Sequence, residues 1–507
     1  MGQYRCDSFN LGAAYQMEDV QPQGSDPARR KVLLGMAALA GAGLVPSVTR
    51  AGGDAPLHAD VAARVRALAG GRALTLRLLL PNGSGGNVNP IIAAFEKMTG
   101  VKVHSFETPV DEINTELSLD ALSKSQKFDV ALPATFGVPD LVASGAILPI
   151  SQFAQRHEPK GFRDNILFGV GDSFDGQLYG FQTDGDAYTM FYHKDMLEDR
   201  DEQARYEDRF GQPLAKPETW PELDRQMAFF NRPDEDKWGG LLFRTPGYVA
   251  WEWWVRFHAK GLWPFSAQME PQIASDAGVE ALEEMIRATE HLHPAASRLG
   301  LFQNWERYSR GDVYCNIGWG GSQKYLNGAR SKMRGRMVYG PTPGGIVDDV
   351  LLITPYFNWG WNYVVSSNTS LPEIAYLFAL FASTPQMSTL AVRQSDGFFD
   401  PFRPEHYTDE GIKAAYTPEF LDVHRASLEA AIPDLYLQGQ GEYFLVLNEW
   451  LSRALTGETS PQKALERVAQ RWRLITNASG RAVQLERWMR LRAKYPRQIS
   501  GVLRDVS

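Results

Sequence analysis

The chain of 507 residues contains 44% hydrophobic and 22% charged residues and has a formal net charge of −8 at pH 7. A chain of this length and apolar content can form two or three domains with cores of their own, which excludes a disordered protein. The acidic balance argues against nucleic-acid binding, since proteins that bind nucleic acids present basic surfaces.

Paired arginines precede an apolar stretch near the amino terminus. Arg29-Arg30-Lys31 is followed by a run rich in Gly, Ala and Leu that ends near Pro46. The run is too short to span a membrane comfortably, and the pattern is typical of a twin-arginine export signal. We therefore predict a signal peptide and leader over residues 1–51. Its removal would leave Cys315 as the single cysteine, so the mature chain would have no intrachain disulfide.

Strands and helices are predicted to alternate from residue 74 onward. Residues 74–80 (LTLRLLL) are typical of a buried strand, residues 81–86 of a glycine-rich turn and residues 90–98 of a helix, and further strands follow at 101–106 and 128–132. This order predicts an α/β domain. A nucleotide site in the turn is disfavoured because NGSGGN lacks both the lysine of a P-loop and the spacing of a dinucleotide motif.

A polar break separates two apolar strands in the stretch DGQLYGFQTDGDAYTMFYHKDML, residues 175–197. The strands are predicted at 178–181 and 188–192, with Asp184 and Asp186 in the break between them. Such a segment can leave one sheet and enter another, with its polar residues in the gap between the two. Further along, KPETWPEL predicts a helix capped by Thr219 and Glu222.

Tryptophans are concentrated in three later segments. Trp251 and Trp254 share a helical face, because positions three and four apart are neighbours on a helix. Trp319 is flanked by glycines, so its immediate neighbours cannot bury it. Trp359 and Trp361 lie two apart and face the same side of a predicted strand. Flat aromatic side chains of this kind can stack on sugar rings, although most aromatics in a globular protein form the core.

The motifs, taken in order, resemble those of the family 1 extracellular solute-binding proteins, the sugar-binding subunits of bacterial ABC importers. The resemblance spans about residues 74–475, and Gln182 and His193 depart from the Pro and Asn that the family usually has. The matching strings are IIAAFEKMTGVKV, GQLYGF, KPETWPEL, RGDVYCNIGWG, PTPGG, GFFDPFR and ALTGETSPQKAL.

The resemblance implies an α/β, two-lobed periplasmic-binding-protein fold with three inter-lobe crossovers and a ligand cleft between the lobes. We expect the crossovers near Asp184, Tyr339 and Asp400. Lobe 1 is expected at residues 72–183 plus 341–400 and lobe 2 at 184–340 plus 401–475. Residues 476–507 lie outside the resemblance and are predicted to form a basic helical C-terminal extension.

The predicted site combines tryptophan walls with polar groups that orient a ligand. The family places ligand contacts in the loop at Ala134, Thr135 and Phe136, on the aromatic helix and at the Gly-flanked tryptophan. Arg403 is the motif-placed cation that would suit an acidic sugar. The predicted ligand-binding residues are Asn82, Phe136, Asp184, Asp186, Trp251, Trp254, Trp319, Asn358, Trp359, Trp361 and Arg403.

The resemblance further implies a soluble periplasmic monomer that captures an uncharged carbohydrate or polyol and delivers it to the permease subunits of an ABC transporter. We expect no catalytic residues, no metal, no cofactor and no nucleic-acid partner. Two alternatives stay open. Asp184 with Asp186 is a carboxylate pair of the kind that glycoside hydrolases use, and the same lobes would serve a sensor that docks on a receptor.

Overall fold

The computed structural model describes residues 54–506, so the predicted leader at 1–51 lies outside the described residues. None of the described helices is both long enough and apolar enough to cross a membrane. The helices within this range are α1 (Ala55–Ala69), α2 (Gly85–Thr99), α3 (Ile113–Ser123), α4 (Val138–Ala143), α5 (Ser151–His157), α6 (Lys194–Glu198), α7 (Arg200–Phe210), α8 (Trp220–Phe230), α9 (Val249–His258), α10 (Asp276–Thr289), α11 (Leu301–Tyr308), α12 (Gly320–Leu326), α13 (Pro372–Ala382), α14 (Pro385–Val392), α15 (Glu410–Tyr416), α16 (Pro418–Glu429), α17 (Gln440–Leu455), α18 (Pro461–Ala478), α19 (Arg481–Arg492) and α20 (Arg497–Ser500).

The strands are short, and most of their residues are buried. They are β1 (Thr75–Pro81), β2 (Lys102–Thr108), β3 (Val130–Ala131), β4 (Ser173–Phe174), β5 (Gln177–Leu178), β6 (Gly180–Gln182), β7 (Ala187–His193), β8 (Trp238–Leu241), β9 (Val313–Gly318), β10 (Met337–Pro341), β11 (Gly345–Val347), β12 (Val350–Leu352), β13 (Tyr356–Phe357), β14 (Asn362–Val365) and β15 (Ile432–Pro433).

The first sheet, which we call the sheet of lobe 1, has the strand order β2-β1-β3-β14-β6. Strand β1 pairs in parallel with both β2 and β3, and its apolar run is buried as expected for an inner parallel strand. Helices α1, α2, α13 and α14 pack against one another on this side of the molecule. Helix α2 begins at Gly85, so part of the predicted glycine-rich turn is its first helical turn.

The second sheet, the sheet of lobe 2, has the order β15-β13-β7-β9-β8, and β10 also pairs with β7. Every residue of β7 is buried, which fits its inner position between neighbours. Helices α8, α9, α10, α16 and α17 pack around this sheet or against each other. The predicted capping box of α8 is confirmed, because Thr219 Oγ1 accepts from Glu222 N and the Glu222 side chain accepts from Thr219 N.

Two segments carry the chain between the two sheets, and a third joins helices that pack on different lobes. Residues 183–186 join β6 to β7, and residues 358–361 join β13 to β14. The third segment, near residues 397–403, follows α14, which packs on α2 of lobe 1, and precedes α16, which packs on β7 and β10 of lobe 2. We call these segments the first, second and third passages.

The expected crossover near Tyr339 is wrong in position. Tyr339 lies inside β10, where it is paired with Phe191 of β7, so the chain is still in lobe 2 at this point. The turn after β10 leads into the β11–β12 hairpin and then into β13, which again pairs with β7. The chain leaves lobe 2 only after Phe357. The antiparallel register of β10 on β7 is what holds it in lobe 2.

The C-terminal residues pack on lobe 2. Trp488 of α19 donates from Nε1 to Ser266 O at 2.9 Å, and Arg504 N donates to Gly261 O at 2.8 Å. Arg487 of the same helix pairs with Asp175, which lies in the β4–β5 turn. The segment is therefore part of the folded body and not a free tail.

Candidate functional site

A small cavity lies where residues of both lobes meet the passages. Its volume is about 20 Å³, enough for roughly one water molecule. Val110 comes from the loop after β2, while Trp305 and Trp319 belong to lobe 2. The residues that line it are Val110, Asp186, Leu301, Trp305, Trp319, Gly321, Trp359, Trp361 and Phe398. The lining is thus mostly aromatic and contains one ionisable side chain.

Trp359 is at the centre of the aromatic walls. Its ring centroid lies 5.1 Å from that of Trp251, 5.9 Å from that of Trp319 and 6.0 Å from that of Trp361. The Trp319 and Trp359 planes are 89° apart, an edge-to-face arrangement that aromatic pairs favour. The Trp319 indole donates from Nε1 to Asn358 Oδ1 at 3.0 Å, which fixes its orientation.

The backbone of the second passage is strained at Trp359. Its φ is +79°, in the left-handed region that non-glycine residues rarely occupy, and the φ of Gly360 is +63°. A Cβ at Gly360 would lie 2.4 Å from the Phe357 ring, so only glycine fits there. Such conformations are concentrated at functional sites, where the surrounding structure maintains them.

Three buried aspartates join the passages to one another. Asp184 Oδ1 accepts from Asp400 N at 2.7 Å, which links the first passage to the third. Asp186 Oδ2 accepts from Gly360 N at 3.0 Å, which links the first passage to the second. Asp400 Oδ2 accepts from Gly320 N at 2.7 Å at the start of α12, and a Cβ on Gly320 would lie 2.3 Å from Asp400 Oδ1. We call Asp184, Asp186 and Asp400 the acidic trio.

When all three of its carboxyl groups are ionised, the acidic trio carries more negative charge than the one nearby cation, Lys324, balances. Burial, together with the neighbouring carboxylates, raises the pKa of Asp184 and of Asp186 well above the ordinary value. Burial raises the pKa of Asp400 to about 6. Lys324 donates from Nζ to Gln394 O and Phe399 O, and burial lowers its pKa to about 8.

The trio has the donor set of a metal site, since one oxygen from each residue lies within 4.8 Å of the others. Each residue, however, already accepts a backbone N–H, from Asp400, Gly360 and Gly320 respectively. His424 lies 3.9 Å from Asp400 Oδ2, and burial lowers the pKa of this histidine to about 4, so it stays neutral at pH 7. The geometry shown is therefore that of a link between chain segments.

Six of the predicted site residues come together at the cavity. Asp186, Trp319, Trp359 and Trp361 line it. The other two stand beside Trp359, since the centroid of Phe136 is 6.2 Å and that of Trp251 is 5.1 Å from the Trp359 ring.

The other predicted residues lie outside the lining. Asp184 and Asn358 are fully buried behind it, bonded to Asp400 N and to the Trp319 indole. Trp254 packs against Phe444 at 5.4 Å, away from Trp251. Every residue of α9 is buried, so this helix contacts protein on all sides. The helical spacing of Trp251 and Trp254 therefore did not show whether both side chains reach the cavity.

Arg403 and Asn82 are also not part of the lining. The Arg403 guanidinium donates to Ser383 O at 2.9 Å and lies between the Phe162 and Phe402 rings, where it is 1% exposed. Asn82 is exposed in the turn after β1. Arg403, the cation predicted to bind an acidic sugar, thus bonds within the protein instead of facing a ligand.

Trp305 and Phe398 line the cavity but were not predicted from the sequence. Trp305 lies on α11, a strongly amphipathic helix, where its position favours a core residue. Phe398 belongs to the third passage, and Asn87 Oδ1 accepts from its backbone N at 2.9 Å. The aromatic pair Phe398-Phe399 within the GFFDPFR motif was the sequence signal that could have predicted this wall.

The carboxylate pair of the hydrolase alternative does not face the cavity as a pair. Asp186 lines the cavity, but Asp184 is 0% exposed and its Oδ1 is held by Asp400 N. Glycoside hydrolysis needs two carboxyl groups on either side of the scissile bond. The arrangement therefore favours binding over hydrolysis.

Comparisons with known proteins agree with this architecture. A family model described as "Bacterial extracellular solute-binding protein" matches residues 90–418. An ABC transporter solute-binding protein from Agrobacterium radiobacter K84, solved with ribitol, is 18% identical, with a TM-score of 0.68 over 78% of this chain and 98% of that one.

Two further solved structures are similar over nearly their whole length. A solute-binding protein from Agrobacterium vitis S4 with bound D-mannitol is 17% identical, with a TM-score of 0.66 over 80% of this chain and 99% of that one. Maltose-bound MalE3 of T. maritima is 16% identical, with a TM-score of 0.68 over 80% of this chain and 100% of that one. At such identities these likenesses establish the two-lobed fold.

Proposed function

The chain belongs to the bacterial extracellular solute-binding proteins, and on that premise we propose that it captures a carbohydrate or polyol between its lobes and delivers it to an ABC importer. The observation that carries the proposal is the cavity lined by Trp305, Trp319, Trp359 and Trp361 at the junction of the lobes. Aromatic faces hold sugar rings by dispersion and apolar burial, and a few polar groups then set the orientation. Ribitol, D-mannitol and maltose, the ligands of the similar structures, are of this class.

The position of the cavity supports a ligand-dependent closure. It is bounded by all three passages, through Asp186, Trp359 and Phe398, and by residues of both lobes. Its volume of about 20 Å³ is too small for a sugar, so a ligand must enter with the lobes further apart than they are here. Rotation of two lobes about a few connecting segments is the usual closure of such proteins. Permease subunits of an ABC transporter would receive the closed, loaded form.

Direct binding measurements test the proposal. The purified mature protein would be titrated calorimetrically and melted in the presence of pentitols, hexitols, monosaccharides and maltooligosaccharides. A ligand at a hundred times its dissociation constant is expected to add about 2.7 kcal/mol to the free energy of unfolding. If amino acids, peptides or metal salts raise the melting temperature and no sugar or polyol does, the proposal fails.

A tryptophan variant tests the location of the site. Trp319→Ala should weaken binding of the best ligand at least tenfold, because it removes one wall and the indole bonded to Asn358. Trp450→Ala is the matched control, since Trp450 lies on α17 under Arg453 and is only half-buried. Equal affinity of the two variants would place the ligand elsewhere. Circular dichroism checks that both remain folded.

We further propose that the protein is exported through the twin-arginine route and functions as a periplasmic monomer without enzymatic activity. The support is the Arg29-Arg30-Lys31 sequence ahead of an apolar run, together with the extracellular family. Replacement of Arg29 and Arg30 by lysine should leave the precursor in the cytoplasm. Unchanged export, seen by fractionation and immunoblotting, would contradict this route, and release of reducing ends from oligosaccharides would contradict the absence of catalysis.

A further inference from the structure

Asp186, Trp305 and Trp359 are the lining residues whose polar groups bear most on what a ligand must offer. Asp186 is the one ionisable lining residue, and its Oδ2 accepts from Gly360 N. The indole nitrogens of Trp305 and Trp359 are buried and have no hydrogen-bond partner within residues 54–506. Buried polar groups without partners destabilise a protein, so a ligand that supplies the partners gains binding free energy. The indoles require acceptor oxygens, whereas the carboxylate requires a donor.

The charge around Asp186 favours a positive donor over a neutral one. Asp184 and Asp400 lie behind it with carboxylate oxygens within 4.8 Å of its own. Lys324 is the cation that acts on Asp184 and Asp400, and its Nζ is bonded to two backbone carbonyls. Three carboxyl groups thus share one ammonium group in a buried region, and the raised pKa of Asp184 and of Asp186 means that protonation offsets part of their charge when no positive ligand is bound. A second positive charge at the cavity would reduce this imbalance.

The aromatic walls favour the same kind of ligand. Indole faces attract cations through the negative potential above the ring, and tryptophan is the best of the aromatic side chains in this respect. Four tryptophans and Phe398 surround the position of Asp186, and no lysine, arginine or histidine is among the lining residues. An anionic ligand would find no positive partner here, because Arg403 is bonded to Ser383 inside the protein.

We propose that the cavity selects an aminated carbohydrate or polyol, whose protonated amine lies against Asp186 among the tryptophan rings. Its hydroxyl oxygens would accept from the indole N–H groups of Trp305 and Trp359. This inference rests on the proposed function, because it specifies the ligand class of the same site. It predicts that an amine in place of one hydroxyl improves binding, whereas a site built for neutral sugars would lose affinity.

Matched ligand pairs test the inference by calorimetry on the mature protein at pH 7. The pairs are D-glucitol with D-glucamine, D-glucose with D-glucosamine, D-galactose with D-galactosamine and D-mannose with D-mannosamine. In at least one pair the amine should bind ten times more tightly or better than its neutral partner. N-acetylation of that amine, which removes its charge, should abolish the advantage.

Variants show whether the preference depends on Asp186. Asp186→Asn keeps an oxygen that can accept from Gly360 N and removes the charge, so the ratio of amine to neutral affinity should fall to about one. Asp396→Asn is the matched control, because Asp396 is an exposed carboxylate just before the third passage and does not line the cavity. It should leave the ratio unchanged. If Asp186→Asn does not fold, the N-acetylated ligands still test the inference with the unaltered protein.

The outcomes separate the two proposals. If the neutral member binds equally well or better in every pair, the amine preference is wrong and the sugar or polyol function stands. If no member of any pair binds and no sugar or polyol in the wider screen does, both proposals fail. Sodium chloride and calcium chloride are tested alone as controls. If either salt raises the melting temperature as much as the amine does, the acidic trio holds an inorganic cation and the inference is overturned.

Discussion

Two buried charged clusters in this protein are built in opposite ways. In lobe 2, the Glu252 carboxylate forms salt bridges with Arg244 and Arg256. Arg256 also donates two hydrogen bonds, of 2.7 and 2.8 Å, to the Asp224 carboxylate. Burial alone would raise the pKa of Glu252, but the two arginines hold it below its usual value. In the acidic trio, burial raises the pKa of all three carboxyl groups, and neighbouring carboxylates raise those of Asp184 and Asp186 further.

The difference between the clusters indicates different roles. Each charge of the lobe 2 cluster has an opposite partner within the protein, so the cluster is complete without a ligand. The acidic trio lies on the passages, borders the cavity through Asp186 and has one ammonium group, Lys324, for three carboxylates. A balanced cluster contributes to the stability of one lobe. An unbalanced cluster destabilises the fold by repulsion between its carboxylates, and a proton or a positively charged ligand reduces that repulsion.

Breaking the balanced cluster should have the largest effect. Glu252→Gln would leave Arg244 and Arg256 buried with part of their charge unpaired, and we expect a loss of about 3–5 kcal/mol in the free energy of unfolding. Urea denaturation followed by circular dichroism measures this loss. Glu429→Gln, which removes an exposed partner of Arg425, is the control and should change stability by about 0.5 kcal/mol or less. A similar loss in both variants would contradict the comparison.

The acidic trio should make stability depend on pH in the direction opposite to a salt-bridged carboxylate. Because the folded-state pKa of Asp400 is raised to about 6, its stabilising contribution is full below the unfolded pKa of about 3.9 and is lost as the pH rises through about 6. The shift corresponds to about 3 kcal/mol. Urea denaturation at pH values from 4 to 8 should show this loss.

Asp186→Asn removes one carboxyl group of the trio and should therefore reduce the fall in stability between pH 4 and pH 8. The same substitution at Asp409, whose pKa is lowered because the effects of Arg393 and backbone N–H groups outweigh burial, should not reduce it. An unchanged pH profile for Asp186→Asn would show that the acidic trio does not store unfavourable charge.

Removal of the one cation beside the trio should have an intermediate effect. Lys324→Met deletes the Nζ that donates to Gln394 O and Phe399 O, and we expect a loss of about 1–3 kcal/mol. The loss should be greater at pH 7 than at pH 5, because more of the trio is ionised at the higher pH. Denaturation curves at both pH values provide the measurement. An equal loss at both would mean that Lys324 acts through its hydrogen bonds alone.

An exposed ion pair far from both clusters should have the smallest effect. Arg64→Gln removes the pairing with Asp60 on α1, in which the two side chains are 44% and 48% exposed, and we expect a loss of about 0–1 kcal/mol. Added salt should weaken the pair in the unaltered protein, whereas it should leave the buried Glu252 cluster intact. A loss as large as that of Glu252→Gln would contradict the distinction between buried and exposed pairs.

Much of the fold was predictable because local rules and motif order agree. The strand predicted through Trp359 and Trp361 is broken there, because Trp359 has a φ of +79°. The α8 cap at Thr219 and the break at Asp184 to Asp186 between two sheets did follow from turn chemistry and strand patterns. These features depend on residues close together in sequence. The family match over residues 90–418 agrees with the order of the motifs.

The features that were mispredicted depend on contacts between distant residues. The crossover near Tyr339 was wrong because the pairing of β10 with β7 is decided by strands far apart in the chain. Trp254 packs against Phe444 of α17, and Arg403 against Ser383, partners that no local pattern reveals. The presence of Trp305 in the cavity likewise depends on how α11 packs, which helical periodicity does not determine.

The bonds of the acidic trio have a mechanical consequence for the whole molecule. Because the bonds of Asp184, Asp186 and Asp400 tie the three passages and α12 together at one place, we expect one lobe to turn against the other about that place. Displacement then grows with distance from the pivot, as it does along a lever. The cavity lies beside the pivot, so a small shift around a ligand becomes a larger movement at the outer rims. A transporter that binds those rims would respond to the presence of a ligand without contacting the cavity itself.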